Sequence, residues 1–277
     1  MVASLFRCLL ILVLLFACFM LLLACGQHRM IYFPRSYHPQ VVRGFIDSGG
    51  QRIDVETSEG TQTAWLLPAV GGNARKLWIV CGGNATLGLE WSERFGTWRN
   101  PSDAVLFFDY PGYGENEGRA HPDTIRESIA HILPAALDAA GIPQEESSSR
   151  VLVFGHSLGA SVALMFANEA GSNRGILLSP FTSTMDMTRV VFGVRMGWLV
   201  RHRFDNLRAL AALNPDGAQF FVFHGALDRE VPAHMSESLH EAHPDIITLT
   251  LVDDAGHNNL HHVAAPKVRD AIHQLAP

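Results

Sequence analysis

The sequence predicts an α/β fold, a mostly parallel central sheet with helices on both faces and a short lid. Three observations carry this. From residue 77 onward, short apolar runs alternate with amphipathic helical patterns, as expected of strands buried on both faces. One such run, Val151-Leu152-Val153-Phe154, leads through Gly155-His156-Ser157-Leu158-Gly159 into a small-residue helix. The chain has 277 residues, 48% hydrophobic and 17% charged, which suits one large core-forming domain and excludes a disordered chain.

The N-terminus reads as a targeting segment. Cys8 to Ala24 are apolar without interruption and follow a single arginine, Arg7. That length is at the lower limit for a spanning helix and slightly long for a signal-peptide core. No amphipathic face exists to pack it as a globular helix. Leu22-Leu23-Ala24-Cys25 looks like a bacterial lipobox, in which Cys25 would be lipidated after cleavage. An uncleaved, single-pass signal anchor stays open as the alternative. Residues 1–24 are therefore expected to be a signal peptide or membrane anchor, 25–40 a linker that docks onto the domain, and 41–277 the domain itself. The expected location is exported and membrane-associated through the N-terminus. Cysteine use agrees: Cys8, Cys18 and Cys25 lie in or at the end of the leader, and only Cys81 lies beyond it. No disulfide within the mature chain and no metal-binding cysteine pair follow from that arrangement.

Next, Val41–Ile46 and Arg52–Thr57 read as β segments around the turn signal Asp47-Ser48-Gly49-Gly50. Thr61–Leu67 is a third strand, ended by Pro68. Buried strands follow at 77–80, 104–108, 151–154, 175–178, 220–223 and 247–252. Helical patterns occupy 89–98, 122–140, 160–170, 232–243 and 259–275. The stretch at about 181–207 breaks the alternation. Its apolar residues are interspersed with Arg189, Arg195, Arg201 and Arg203. It reads either as a small lid or as a surface helix with a solvated basic face, and such a mixture could touch an anionic lipid surface. The net charge of −6, without a basic run, argues against nucleic acid as a partner.

Ligands of such sheets bind at the carboxyl ends of the strands. A serine between glycines at a strand-to-helix turn has its hydroxyl presented there, beside a helix N-terminus that favours negative charge. Ser157 is the candidate nucleophile. It needs a base, and the base needs an orienting carboxylate. Asp228, in the loop after the 220–223 strand, is the candidate acid, with Glu230 and Asp216 as weaker rivals. His257, in the Gly256-His257 turn after the last strand, is the candidate base. His261 and His262, on the following helix, suit solvent better. His257 and His261 have the spacing of a metal pair, but no third ligand is evident and no metal is assigned. Two backbone N–H groups must face the developing oxyanion. One belongs to Leu158, and the other is sought in the loop Cys81-Gly82-Gly83-Asn84-Ala85.

These motifs together resemble the α/β-hydrolase superfamily, in particular its serine aminopeptidase-like or lysophospholipase-like branch, which includes the protein depalmitoylases. The resemblance covers about residues 29–275. It rests on Gly83-Asn84-Ala85, Phe108-Asp109-Tyr110-Pro111-Gly112-Tyr113-Gly114, Gly155-His156-Ser157-Leu158-Gly159, Arg203-Phe204-Asp205-Asn206-Leu207, His224-Gly225 with Asp228 and Val231-Pro232, and Gly256-His257. It implies the α/β-hydrolase fold and a triad of Ser157, Asp228 and His257. It also implies Asn84 and Leu158 as oxyanion-hole donors. The family usually has a histidine where this chain has Gly82, which bears on the shape and rigidity of that loop. The expected activity is a serine hydrolase acting on esters or thioesters of small or lipid-like acyl groups, with no cofactor. The alternatives are a peptidase of the serine aminopeptidase type and a catalytically silent domain used for binding. Oligomeric state is not legible.

Overall fold

The computed structural model describes residues 2–277, with the side chains of 2–5, 17 and 22–25 outside the description. The lipobox reading at Leu22–Cys25 therefore lies outside the described side chains. The chain opens with α1 (Val2–Ile31) and α2 (Pro39–Asp47), then a hairpin of β1 (Gln51–Thr57) and β2 (Gly60–Leu67). The alternating part runs β3 (Leu77–Cys81), α3 (Ser92–Trp98), β4 (Ala104–Phe108), α4 (Pro122–Ala139), α5 (Ser147–Arg150), β5 (Val151–His156) and α6 (Leu158–Ala170). It continues through β6 (Arg174–Leu178), α7 (Thr184–Phe192), α8 (Asn206–Ala211), β7 (Gln219–Gly225), α9 (His234–Ala242) and β8 (Ile247–Val252). Two helices close it, α10 (Leu260–Val263) and α11 (Ala265–Leu275).

The strands form one eight-stranded sheet in the order β1-β2-β4-β3-β5-β6-β7-β8. β2 is antiparallel to both neighbours, and β3 through β8 run parallel. Burial follows position in the sheet. Every residue of β3, β4 and β5 is buried, whereas the edge strand β1 buries Ile53 and exposes its neighbours. The two faces carry separate cores. One packs α4, α6 and α8 through residues such as Ile125, Ile129, Leu164, Phe166 and Leu210. The other packs α3 and α11 through Phe95, Trp98, Val268 and Ile272 around an aromatic group, with the Phe95 and Phe154 rings 4.9 Å apart. Parallel strands joined by covering helices put all the following loops at one end of the sheet.

One expected strand is reassigned. Val41–Ile46 is not a strand but lies within α2. Its β-branched residues favour a strand in isolation. Helix-start chemistry prevails: Pro39 occupies the first turn, and His38 Nδ1 accepts from Gln40 N. Phe45 is then buried against Trp65 and Phe107. The 47–50 glycines end this helix, and the hairpin turns instead between β1 and β2, at Ser58-Glu59. The expected linker is also partly helical, because Gln27–Ile31 form the last turn of α1. Among the described residues no helix is long and apolar enough to cross a membrane. Positions 17 and 22–24, within the apolar run, belong to the side chains not described.

The segment between β6 and β7 is a small cap. α7 begins at Ser183, whose side chain accepts from Asp186 N, and ends at Gly193 in the left-handed conformation. Asp205 caps α8 in the same way. A bridge between Ser183 and Asp205 closes the base of the cap.

The closest approach of a glycine to other backbone, among the described residues, involves α6. A Cβ on Gly159 would lie 2.2 Å from the carbonyl oxygen of Cys81 and 2.4 Å from that of Gly82, and one on Gly155 would lie 2.3 Å from Gly159 O. Gly96, in α3, has nothing within 4 Å of the same position. Urea unfolding should separate the two. Gly159→Ala is expected to lose about 3 kcal/mol or more, because backbone rather than a side chain must move. Gly96→Ala is expected to gain about 0.5–1 kcal/mol from helix propensity.

Candidate active site

Four loops meet at the carboxyl ends of β3, β5, β7 and β8. Ser157 follows β5 directly and caps α6 with φ 56° and ψ −120°, a conformation that side chains rarely adopt. Its own N–H donates to Leu178 O at 2.9 Å, which ties the turn to β6. The glycines two residues before and after Ser157 are the ones that permit this turn, as their blocked Cβ positions show.

Asp228 and His257 are brought together from separate strands. His257 Nδ1 lies 2.7 Å from Asp228 Oδ2, so the Nδ1–H donates and Nε2 is left as the basic nitrogen of the neutral ring. Asp228 Oδ1 accepts from the N–H groups of Glu230 and Val231 at 2.9 and 2.8 Å. Burial pushes the Asp228 carboxyl pKa up. The hydrogen bonds from His224 and His257 and the His257 charge outweigh that and hold it well below the usual carboxylate range. Gly225 makes the meeting possible, since a Cβ there would lie 2.3 Å from Ala255 O. Of the rival acids, Glu230 is exposed, with Oε2 3.9 Å from His257 Nε2 and Oε1 bonded to Asn258. Asp216 sits in the exposed turn before β7, far along the strand from Asp228.

The hydrogen bonds of His257 are those to Asp228 and, through its carbonyl, to His156; they do not include Ser157 Oγ. Nucleophile–base bonds are often long before substrate binds. The adjacent residue shows how close the two loops are: the His156 and His257 rings are 4.9 Å apart.

Leu158 N is the first amide of α6 and has no helical acceptor. The 81–85 loop lies against the elbow, with Gly83 beside His156 and Gly159 beside Gly82. Asn84 is held on three sides. Its carbonyl accepts from Phe33 N and from Tyr113 Oη, and its side chain donates to Ile31 O. Tyr110 Oη donates to Gly82 O. A Cβ at Gly82 would lie 3.0 Å from Thr86 Cβ, so a histidine here would need Thr86 to shift. The bonds at Gly82 and Asn84 hold the loop without it.

Sequence reasoning missed several supports. Buried His156 donates from Nε2 to His257 O at 3.2 Å, linking the elbow to the base loop. It occupies the variable position of the Gly-x-Ser-x-Gly pattern, so no motif marks it. Buried His224 donates from Nε2 to Val231 O at 2.8 Å and passes 3.3 Å from Asp228 Oδ2, while its Nδ1 meets Ser236 Oγ at 2.6 Å. Asp109 anchors the loop with the two tyrosines. It accepts from Tyr37 Oη at 2.5 Å and Gly88 N at 2.7 Å, and burial pushes its pKa up to about 6. His261 is not solvated as expected; its ring packs 5.3 Å from Trp91 with Nδ1 buried. His262 is exposed, beside Arg94. Cys81 is fully buried, with its thiol pKa pushed up by burial.

A strained serine between glycines, a buried carboxylate–imidazole pair and a braced amide loop on a mostly parallel sheet define a hydrolase-type α/β fold. The chain belongs to the alpha/beta hydrolase family, whose family model matches residues 79–218. An uncharacterized protein of Mycobacterium tuberculosis is 30% identical over 252 residues, covering 90% of this chain and 86% of that one. The human alpha/beta hydrolase domain-containing protein 17B is 25% identical over 205 residues, 74% of this chain and 68% of that one. Among solved structures, an alpha-beta hydrolase from Vibrio vulnificus superposes with a TM-score of 0.66 at 14% identity, over 86% and 88% of the two chains. A Pyrococcus furiosus esterase superposes at 0.63 with 17% identity, over 88% and 96%. At those identities the structures attest the fold.

The burial of His156 has a pH consequence. Burial first, and the His257 charge second, hold its pKa down to about 3 from 6.5. The unfolded chain then binds the extra proton between those values, so stability present above pH 6.5 is lost as pH falls towards 3. At pH 5 this histidine alone accounts for about 2 kcal/mol of lost stability. Urea titrations at pH 7.5 and 5 should show a smaller loss in His156→Gln, which keeps a donor for His257 O and cannot titrate.

Proposed function

We propose that this protein is a serine hydrolase that cleaves esters or thioesters of acyl, lipid-like substrates through an acyl-enzyme. The observation that carries the reading is the 2.7 Å bond from His257 Nδ1 to Asp228 Oδ2, which leaves Nε2 free to act as a base. Nε2 takes the proton of Ser157 Oγ as the oxygen attacks the acyl carbon. Negative charge forms on the carbonyl oxygen and meets the N–H groups of Leu158 and Asn84. The carbon–oxygen or carbon–sulfur bond then breaks, and His257 returns the proton to the departing alcohol or thiol. Water, deprotonated by the same nitrogen, attacks the acyl-serine, and the acid leaves as Ser157 regains its proton. No metal or organic cofactor takes part in this scheme. The likeness to the human alpha/beta hydrolase domain-containing protein and to the Pyrococcus furiosus esterase supports the reaction class.

Membrane attachment through the N-terminus belongs to the same proposal, as a lipoprotein modified at Cys25 or as an uncleaved signal anchor. Two surfaces support it. α1 exposes Phe6, Leu9 to Phe16, Phe19 and Leu21. The cap exposes Val191, Val194 and Trp198 near Arg189 and Arg195, a mixture suited to an anionic lipid surface.

The peptidase alternative draws on Glu230, whose exposed carboxylate beside His257 Nε2 could pair with a free amine. Turnover separates the readings. Acyl esters and thioesters should be hydrolysed at least a hundredfold faster than aminoacyl amides. Ser157→Ala should reduce ester turnover to background with its circular dichroism unchanged, and Asp228→Asn should lower kcat by about 10⁴. Ester turnover that survives Ser157→Ala would refute this nucleophile.

A further inference from the structure

We propose that the last turn of α1 and the cap together form an acyl-chain subsite, so that the N-terminal segment supplies one wall of the substrate site. This rests on the hydrolase reading above and locates where its acyl group is held.

An apolar cavity of about 150 Å³ lies between these two elements. Met30 and Ile31 line it from α1, and Val191, Phe192, Met196 and Leu199 line it from the cap. Its walls are bonded to each other. Gln27 Nε2 donates to Leu199 O at 2.7 Å, and Arg201 N donates to Gln27 Oε1 at 2.7 Å, so one side-chain amide grips the cap backbone twice. One residue past α1, buried Tyr32 meets the cap again, its hydroxyl 3.3 Å from His202 Nδ1.

The same turn of α1 is tied to the candidate oxyanion loop. Asn84 Nδ2 donates to Ile31 O at 3.0 Å, and Phe33 N donates to Asn84 O at 3.0 Å. Ile31 therefore lines the cavity and is bonded to Asn84, whose amide faces the reacting carbonyl in the proposed mechanism. The subsite and the oxyanion loop are one hydrogen-bonded unit.

The lining decides the occupant. Apart from Gln27, Thr184 and Thr188 it is lined by apolar side chains, and an apolar cavity of about this size has room for roughly six carbons. An acyl chain of about six carbons matches both size and chemistry. Met30 and Val191 are exposed, so the cavity opens at that edge and a chain can enter.

The test compares p-nitrophenyl acetate and hexanoate on the full chain in detergent micelles. Wild type should prefer hexanoate by at least tenfold in kcat/KM, since pocket methylenes discriminate by that order each. Val191→Trp and Met30→Trp, which fill the cavity from the two walls at exposed positions, should each reduce the preference at least fivefold. Val70→Trp, an exposed site in the loop before β3, should leave it unchanged. Loss of both turnovers in Ser157→Ala would establish the reaction on which the subsite rests. If wild type hydrolyses neither ester, the hydrolase reading fails and the subsite with it. If both are hydrolysed through Ser157 but the preference is flat, or unmoved by either tryptophan, the subsite is overturned while the hydrolase stands. A change with Val191→Trp alone would overturn the wall assigned to α1.

Discussion

The structure depends on a backbone contact that admits no side chain. The first turn of α6 presses against the end of β3 until the Gly159 Cα hydrogens face two carbonyl oxygens, with Gly155 equally tight against α6 from below. Only glycine fits at either place. The contact bends the chain at Ser157 into its left-handed conformation and presents the side chain at the sheet edge. It also brings the 81–85 loop beside the α6 N-terminus, where two free amides can share one oxyanion. The strain at Ser157 is offset by the buried strand before it and the all-buried face of the helix after it.

Around that contact, long-range hydrogen bonds set the loops. β7 and β8 end in register, with Gly225 opposite Val252, so the acid and base loops leave the sheet side by side. His156 then pins the base loop to the elbow, and His224 lies 3.3 Å from the same Asp228 oxygen that accepts from His257. The two tyrosines of the 110–113 turn hold the carbonyls of Gly82 and Asn84. Ile31 and Phe33 complete the brace. The residues of α1 involved, Gln27 to Ile31, follow Cys25 in sequence. Both the lipidated and the uncleaved forms of the N-terminus would retain them.

Much of this was legible because short-range chemistry and the final fold agree. Five of the six parallel strands were visible as apolar runs, since burial on both faces leaves no room for polar alternation; β8, at the sheet edge, alternates with threonines and buries only Ile247 and Val252. Ser157 stood out through its flanking glycines, and Asp228 and His257 through their places after late strands. The supports were not legible. His156 sits at a free position of its motif, and the partner of His224, Ser236, lies on another element whose approach no spacing reveals. Val41–Ile46 misled because β-branched residues carry strand propensity, while the proline and cap two residues earlier and the burial of Phe45 under Trp65 favoured helix. The end of α1 was read as linker for a similar reason. Its packing partners, the cap and Asn84, are distant in sequence.

The central claim is that Ser157 is an activated nucleophile. The most direct measurement is reaction of the intact, membrane-associated protein with a fluorophosphonate, followed by mass spectrometry of its peptides. These reagents phosphonylate an activated serine whatever its natural substrate. The account predicts a single adduct on the peptide containing Ser157, formed in the wild type and lost in Ser157→Ala. Folded wild type that takes up no label, or takes it up elsewhere, would contradict it.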